Sequence, residues 1–313
     1  MNKKSRILIV GHSDAVENSL RQYFKSNKYA RVYSSSSLKI DFLKQASVEN
    51  FFKKYKPEYV FLGSIRSGGI VANQKFAAQF IYENLQCQNH VIHAAFKTGV
   101  KKLLYYGASC AYPKEAKQPI AEESFLTGKL EDSSEPYAVA KIAGMKLCQT
   151  YNRQYGFKAI VAVPSTVYGP GSDTDVATAH VMGALISKFH HAVKTGQKEV
   201  VVWGSGKPRR EFIFTDDFVS GSVFLMRHYQ DSQIINLGVG HDVSIYDLSK
   251  QIAKVFKFKG KIVFDSSKPD GAMRKLLNNK RITSLGWKPK KALTEGITET
   301  CAWYSKQVKS DGY

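Results

Sequence analysis

The chain has few of the features that mark membrane or secreted proteins. No stretch of its 313 residues approaches the roughly 20 consecutive apolar residues that a membrane-spanning helix requires. The first residues, Met-Asn-Lys-Lys-Ser-Arg, lead straight into a short apolar run and do not resemble a signal peptide. We therefore expect a cytoplasmic protein without a membrane partner.

Cysteine is also scarce. The chain has 4 cysteines, Cys87, Cys110, Cys148 and Cys301, and their spacing matches neither a disulfide framework nor a metal-binding motif. We predict no metal site, and each thiol has to be considered singly.

Acidic residues are outnumbered by basic ones. The chain has 26 Asp and Glu against 46 Lys and Arg, which gives a formal net charge of +20 and favours an anionic partner. The basic residues nevertheless occur in short scattered groups, and no nucleic-acid-binding module is recognisable. We predict no nucleic-acid partner and expect a few of the cations to bind a phosphorylated small molecule.

What the chain does contain is an alternation of short apolar runs and amphipathic helices, which is typical of α/β proteins with a parallel sheet. We predict a Rossmann-type doubly wound parallel sheet in residues 1–165 and a smaller, partly interleaved C-terminal substrate-binding region in residues 166–313. The predicted strands are 6–10, 31–33, 59–62, 102–106, 159–163 and 199–203, and the main predicted helices are 15–25, 77–98, 137–155 and 179–195.

One segment, Glu135-Pro136-Tyr137-Ala138-Val139-Ala140-Lys141, places a tyrosine and a lysine at i and i+4 of a predicted helix start. Residues so spaced share a helix face, so the two head groups can reach the same volume. A lysine ammonium beside a phenol lowers the pKa of the phenol, which suits it to proton exchange with a carbonyl or an alcohol. The same spacing occurs on solvated helix faces, so the pair alone does not decide the function.

Longer segments are more distinctive, and they run through nearly the whole chain. They are residues 68–73 (GGIVAN), 80–85 (FIYENL), 109–114 (SCAYPK), 152–156 (NRQYG), 202–212 (VWGSGKPRREF) and 267–271 (SKPDG). With these segments the chain resembles the extended short-chain dehydrogenase/reductase superfamily. Within it, the chain resembles the GDP-L-fucose synthase family, whose members are GDP-4-keto-6-deoxy-D-mannose 3,5-epimerase/4-reductases.

In that family the hydrogens on C3 and C5, beside a C4 ketone, are removed and returned, and NADPH then reduces the ketone. The resemblance implies that Cys110 and His180 are the epimerisation pair, one acting as base and the other as acid. A thiol and an imidazole both titrate not far from neutral pH, which suits these roles. The resemblance also implies that Tyr137 donates a proton to the C4 oxygen, while Lys141 lowers its pKa and holds the nicotinamide ribose.

The resemblance further implies NADP(H) as cofactor and a GDP-linked keto-sugar as substrate. The cofactor-binding residues would be Gly11, Ser13, Ser109 and Lys141, and the substrate-binding residues would be Lys188, Trp203, Arg210 and Asp270. Arginine suits bidentate phosphate contact, and lysine acts as a point charge. Because superfamily members often pair through two long helices, we expect a homodimer that uses residues 77–98 and 137–155.

The turn after the first strand departs from the family pattern Gly-x-x-Gly-x-x-Gly, whose glycines let a pyrophosphate approach a helix N-terminus. This chain reads Gly11-His12-Ser13-Asp14-Ala15-Val16-Glu17, so only the first glycine is kept. Asp14 and Glu17 add bulk and negative charge where a dinucleotide phosphate would lie. At an effective dielectric near 20, two like charges about 4 Å apart cost on the order of 4 kcal/mol.

Other cofactor positions differ as well. Ser34-Ser35-Ser36-Ser37 stands where NADP-dependent members keep an arginine for the 2′-phosphate, Ser13 replaces a basic residue, and Ile65 adds bulk to the adenosine pocket. Ala108 replaces the serine of the Ser-Tyr-Lys triad. Strand alternation turns the neighbouring Ser109 to the other face.

Three hypotheses stay open at this point. The first is a GDP-4-keto-6-deoxy-hexose 3,5-epimerase/4-reductase with a weakened NADP(H) site. The second is an epimerase that has kept deprotonation and reprotonation but has lost reduction. The third is a catalytically silent family member that binds a nucleotide sugar or a partner protein.

Overall fold

A computed structural model describes residues 1–11, 14–38 and 40–310 of the chain. The strands are β1 (Arg6–Val10), β2 (Arg31–Ser34), β3 (Tyr59–Leu62), β4 (Lys102–Tyr106), β5 (Ala159–Pro164), β6 (Thr166–Tyr168), β7 (Glu199–Trp203), β8 (Arg209–Arg210), β9 (Phe212–Phe214), β10 (Ile234–Leu237), β11 (Val243–Ser244), β12 (Lys261–Asp265) and β13 (Arg274–Lys275). The helices are α1 (Asp14–Ser26), α2 (Gln45–Tyr55), α3 (Ile70–Lys75), α4 (Ala77–Lys97), α5 (Glu135–Tyr155), α6 (Val181–Thr195), α7 (Thr215–His228), α8 (Ile245–Val255), α9 (Lys280–Ser284) and α10 (Leu293–Ser310).

The large sheet has 6 parallel strands in the order β10-β5-β4-β3-β1-β2, which confirms the predicted doubly wound fold. Successive residues of a strand point to opposite faces, and β1 illustrates the result. Leu8 and Val10 join a core built with α2, α4 and α5, whereas Ile7 and Ile9 join a core built with α1 and α7. Helices therefore cover both faces, which explains why the strands read as continuous apolar runs.

A third core lies in the C-terminal part of the chain. Phe189 of α6, Leu248 of α8 and Ile297 of α10 pack there beside the two-stranded sheet of β7 and β12. The chain does not stay in this part, because β10 returns to the large sheet and pairs Ile234 with Val161 of β5. The boundary between residues 165 and 166 stays a prediction.

The predicted elements agree closely with these bounds. β1, β3, β4 and β7 begin and end where the sequence pattern placed them, and α5 begins two residues earlier, at Glu135. The helix predicted from residue 179 begins instead at Val181, because His180 has an extended backbone with φ −65° and ψ 160°. Within the described ranges, no helix combines the length and the apolarity needed to cross a bilayer.

Candidate active site

The carboxyl end of β3 and the start of α5 position the tyrosine at the centre of the site. α5 carries Pro136 in its first turn, where a missing N–H breaks no helical hydrogen bond. Tyr137 follows, and its hydroxyl lies 2.8 Å from Ser64 Oγ in the turn after β3. The Phe80 ring packs edge-on against the Tyr137 ring, with centroids 6.1 Å apart. These contacts fix the phenol at the carboxyl edge of the large sheet.

Lys141 lies one helical turn further along α5, and its ammonium packs on a different ring. The residue is 1% exposed, and Nζ lies 4.4 Å from the centre of the Tyr105 ring. Burial lowers the pKa of Lys141 to about 7, and the nearby thiols, of which Cys110 acts most strongly, oppose that shift. Near neutral pH this lysine can therefore change its charge.

The expectation that Lys141 lowers the pKa of Tyr137 stays a prediction. Burial raises the pKa of Tyr137, Cys110 raises it further, and the hydrogen bond with Ser64 acts in the opposite sense. Desolvation is the largest of these effects. The phenol keeps its proton and is suited to donate it.

Cys110 lies in the 3-10 turn Ser109–Ala111, which follows β4. Burial raises the pKa of its thiol, while Lys275 and Lys141 act in the opposite sense. Ser109 is half-buried in the same turn. Because the residue is in a turn and not in a strand, the alternation argument that directed it to the other face does not apply.

His180 immediately precedes α6, and the loop before it is held by hydrogen bonds. The Asp173 carboxylate accepts from Asp175 N at 2.9 Å and from Thr178 Oγ1 at 2.8 Å. His180 is exposed, and desolvation of its ring by the surrounding groups lowers its pKa, with Asp173 opposing that effect and Lys275 reinforcing it. The imidazole is consequently suited to be neutral, and able to accept a proton, at neutral pH.

Lys275 links the cysteine and the histidine, and the sequence motifs did not identify it. It lies in β13, where it pairs with Arg210 of β8. Its positive charge lowers the pKa of Cys110 and that of His180. Burial lowers its own pKa, with Cys110 opposing the shift. A cation that acts on both titratable groups is suited to stabilise an oxyanion formed near them.

Trp203, at the end of β7, forms an exposed aromatic platform between two cations. The indole is 46% exposed. Lys188 Nζ lies 5.4 Å from the ring centre and Lys268 Nζ lies 5.7 Å from it. Lys188 also donates a 2.9 Å hydrogen bond to the carbonyl of Val201. An exposed indole flanked by ammonium groups suits a base attached to a phosphate.

Arg210 and Asp270 lie near each other but have different surroundings. Arg210 is half-buried and its Nη1 donates to the carbonyl of Arg209 at 2.8 Å. Burial lowers its pKa, with Glu131 and Asp270 opposing. Both oxygens of Asp270 already accept hydrogen bonds at 2.7 Å from Ser205, one from its N–H and one from its hydroxyl. Asp270 therefore holds the turn after β7, whereas Arg210 keeps donors available.

A carboxylate closes the turn after β1. Glu17 of α1 is 4% exposed. Its Oε2 accepts a 2.5 Å hydrogen bond from Ser35 Oγ, and its Oε1 accepts from Ser36 N at 3.1 Å and also from Ser36 Oγ. The N–H of Gly11, the one glycine of the motif that is kept, donates to Ser35 Oγ at 3.3 Å. The serines after β2 are thus bonded to the turn that in related folds receives a pyrophosphate.

A nicotinamide dinucleotide would extend from this turn to Tyr137. At the Tyr137 end the residues fit, because Gly63 lets the turns after β1 and β3 approach, and a Cβ there would lie 3.3 Å from Val10 O. At the adenosine end they do not fit a 2′-phosphate, since residues 34–38 carry no cation and the Glu17 carboxylate lies among them. His12, Ser13, Lys39 and the Asp14 side chain lie outside the described part of the chain, so the role predicted for Ser13 stays a prediction.

Comparison with known proteins agrees with this geometry. The model of the NAD dependent epimerase/dehydratase family matches residues 7–238. A probable GDP-L-fucose synthase from Oryza sativa is 45% identical over 310 residues, which are 99% of this chain and 94% of that protein. The GDP-L-fucose synthase of Escherichia coli is 40% identical over 310 residues, covering 96% of this chain and 97% of that protein.

Solved structures give the same picture of the whole fold. A GDP-6-OMe-4-keto-L-xylo-heptose reductase from C. jejuni superimposes with a TM-score of 0.92 at 33% identity, covering 98% of this chain and 99% of that one. A GDP-mannoheptose C4 reductase from Campylobacter jejuni with NADP bound has a TM-score of 0.88 at 35% identity, covering 97% of this chain and 99% of that one.

Proposed function

Because this chain belongs to the NAD dependent epimerase/dehydratase family, and within it to the GDP-L-fucose synthase family, we propose that it epimerises C3 and C5 of a GDP-4-keto-6-deoxy-hexose and then reduces the C4 ketone. The chain is an enzyme that acts on a GDP-sugar. The roles of individual residues, the dimer and the cytoplasmic location stay proposals.

Epimerisation beside a ketone needs a base on one side of the sugar and an acid on the other. Desolvation lowers the pKa of His180, so its imidazole is neutral and can take the proton from C3 or C5. Burial raises the pKa of the Cys110 thiol, so it keeps a proton that it can return to the opposite face. We therefore assign His180 as the base and Cys110 as the acid.

Deprotonation leaves negative charge on the C4 oxygen, which has to be stabilised. We assign the Lys275 ammonium, whose charge lowers the pKa of both Cys110 and His180, to interact with that oxygen. Tyr137, whose pKa burial raises, holds its proton and donates a hydrogen bond to the same oxygen. These groups stabilise the enolate more than the ketone, which is the requirement for catalysis.

NADP(H) is the cofactor of the family, and a bound nicotinamide dinucleotide would supply the hydride that adds to C4. Tyr137 then transfers its proton to the oxygen that becomes the alcohol. For the nucleotide part of the substrate, we assign Trp203 to stack on guanine. Lys188 and Arg210 are assigned to the diphosphate, since both carry donors and neither forms an ion pair with an acidic side chain in the described part of the chain.

The observation that carries the proposal is the pairing of Lys275 with Arg210, which brings to the predicted substrate site a lysine whose charge lowers the pKa of both Cys110 and His180. The test is incorporation of solvent deuterium at C3 and C5 of GDP-4-keto-6-deoxymannose without NADPH, followed by NMR. We expect exchange in the wild type and a decrease of about 100-fold or more in Cys110→Ser and in His180→Asn, because each removes a proton-transfer group.

Matched controls are Cys301→Ser, a buried thiol of α10, and His228→Asn, an exposed imidazole of α7. Both lie outside the proposed site and should exchange deuterium at the wild-type rate. Absence of exchange in the wild type, or unchanged exchange in Cys110→Ser and His180→Asn, would contradict the proposal.

Ala108 favours a second candidate function, epimerisation without reduction. The residue precedes the turn that carries Cys110, and its methyl group cannot supply the hydroxyl of the Ser-Tyr-Lys triad. A parallel reaction with NADPH separates the two candidates. Reduction consumes NADPH and yields a C4 alcohol, whereas the second candidate leaves NADPH unchanged while C3 and C5 still exchange.

We also propose that the second copy in a homodimer packs on α4 and α5. These two long helices lie side by side, and they expose Tyr82, Val139 and Tyr155 by 59%, 40% and 51%. Apolar and aromatic groups of this size on adjacent helices are typical of a surface that a partner covers. The three side chains are therefore assigned to the dimer interface.

A further inference from the structure

The carboxylate of Glu17 occupies a defined position in the fold. The pairing of β1 with β2 aligns Ile9 with Ser34, so the serines that follow are level with the turn after β1. In a Rossmann fold, the group that follows the second strand meets the 2′ position of the adenosine ribose. A carboxylate there accepts hydrogen bonds from the ribose hydroxyls of NAD, whereas an arginine accommodates the 2′-phosphate of NADP.

In this chain the acidic group at that position comes from α1 and not from the strand. Glu17 reaches across to Ser35 and Ser36, and the described residues of this serine turn supply three donors to it: two hydroxyls and the N–H of Ser36. The side chain is 4% exposed and is held at both oxygens, so its position is well defined. Hydroxyls and a backbone N–H add no positive charge that could neutralise a phosphate.

We propose that Glu17 sets the dinucleotide specificity of this enzyme, by placing a negative charge where the 2′-phosphate of NADPH would bind. The inference rests on the proposed function and deepens it. A phosphate monoester carries about −1.5 to −2 charges at neutral pH, so the repulsion falls on NADPH and not on NADH. The 2′-phosphate then adds no affinity, and NADH binds at least as tightly as NADPH.

The test measures binding and does not depend on turnover. The dissociation constants of NADPH and NADH for the wild type are obtained by titrating the fluorescence of each dinucleotide. Calorimetry with 2′,5′-ADP and 5′-AMP reports on the adenosine subsite alone. We expect the wild type to bind NADPH no more tightly than NADH, and 2′,5′-ADP no more tightly than 5′-AMP.

Glu17→Gln keeps the size of the side chain and removes its charge. We expect it to tighten NADPH and 2′,5′-ADP by about tenfold or more and to change NADH and 5′-AMP by less than about threefold, because loss of one unfavourable charge pair affects only the phosphorylated ligands. Glu17→Gln combined with Ser36→Arg should prefer NADPH. Glu49→Gln, in α2, changes the net charge equally and should bind every ligand like the wild type.

Two results would overturn the inference. One is a wild-type protein that already binds NADPH about tenfold more tightly than NADH; this needs no variant and therefore holds even if Glu17→Gln does not fold. The other is a Glu17→Gln protein whose affinities for NADPH and NADH change by the same factor, which is expected if Glu17 only stabilises the turn. Deuterium exchange into the sugar needs no dinucleotide. A wild-type protein that does not exchange deuterium would therefore contradict the proposed function, whereas the measured dinucleotide affinities would still test the role of Glu17.

Discussion

Tyr137 and Lys141 lie on one face of α5, but their head groups have different neighbours. The spacing in the sequence predicted the shared face correctly. It could not predict that Tyr105, from β4, would lie under the ammonium with 4.4 Å between Nζ and the ring centre. Helical periodicity describes one element, whereas the pKa of a buried group depends on every element packed around it.

The low pKa of Lys141 gives the protein a stability that depends on pH. The folded-state pKa is about 7, against 10.5 for a free lysine, so between these values the unfolded chain binds more protons than the folded one. The free energy of unfolding therefore rises with pH across this window, by roughly 1.4 kcal/mol for each unit of pKa difference as an upper limit. Below pH 7 the cost of the buried charge is fully present.

We expect Lys141→Met to remove this rise, because methionine has a similar length and no charge. Urea unfolding of both proteins at several pH values from 6 to 10 would measure the difference in the free energy of unfolding. That difference should favour the variant at pH 6 and shrink as the pH increases. Lys146→Met changes an exposed lysine of the same helix. Its free energy of unfolding should differ from that of the wild type by the same amount at every pH. Parallel curves for the wild type and Lys141→Met would contradict the assigned pKa.

The sequence motifs did not predict the contacts of two other residues, Lys275 and Glu17. Lys275 was missed because the matching segment ends at Gly271, and only the pairing of β13 with β8 brings the lysine into the site. The basic dipeptide Arg274-Lys275 in a short strand was the only signal. Glu17 was recognised as an obstacle to phosphate, but its bonds to Ser35 and Ser36 depend on strand register, which the motif does not encode.

At the scale of elements, one buried carboxylate joins three segments that surround the substrate region. Glu211, between β8 and β9, is 2% exposed. Its Oε1 accepts from Val239 N at 2.6 Å and Gly240 N at 2.7 Å, and its Oε2 accepts from Leu277 N at 2.9 Å. These bonds hold the turn after β10 in place.

We expect Glu211→Gln to destabilise the fold by about 2 to 3 kcal/mol. A glutamine has one acceptor oxygen in place of two, so at least one buried N–H faces an NH₂ group and loses its bond. Urea unfolding at pH 8, above the pKa of about 7 to which burial raises this carboxyl, would measure the loss. Glu123→Gln breaks an exposed ion pair with Arg281 and should cost less than about 1 kcal/mol. Equal losses in the two variants would contradict the role of Glu211.

At the scale of the whole molecule, the parallel sheet and its two helix layers could be predicted from the sequence, because apolar strands and amphipathic helices alternate. The start of α6 could not, since only the extended backbone of His180 decides it. The sequence could not predict either which distant segments contribute side chains to the site. Lys275 comes from a strand far along the chain, and periodicity gives no information about such pairings.

The proposed dimer is a prediction at this scale. We expect Tyr82→Lys combined with Tyr155→Lys to be monomeric, because two charges would have to be buried without partners in the interface. Light scattering coupled to gel filtration would measure the mass. Tyr246→Lys changes a tyrosine of α8 that is 43% exposed and should keep the wild-type mass. A monomeric wild type, or a double variant that stays dimeric, would contradict the assignment of this surface.

The return of β10 to the large sheet affects how the chain is made. While the ribosome is still adding residues after Pro164, β5 is the last strand of the sheet and its outer edge has no partner. An unpaired strand edge can join another nascent chain. The edge is covered only when Ile234–Leu237 has emerged, so the N-terminal part cannot complete its fold until about three quarters of the 313 residues have been made. Slow translation between these two strands would prolong the period in which the protein is open to aggregation.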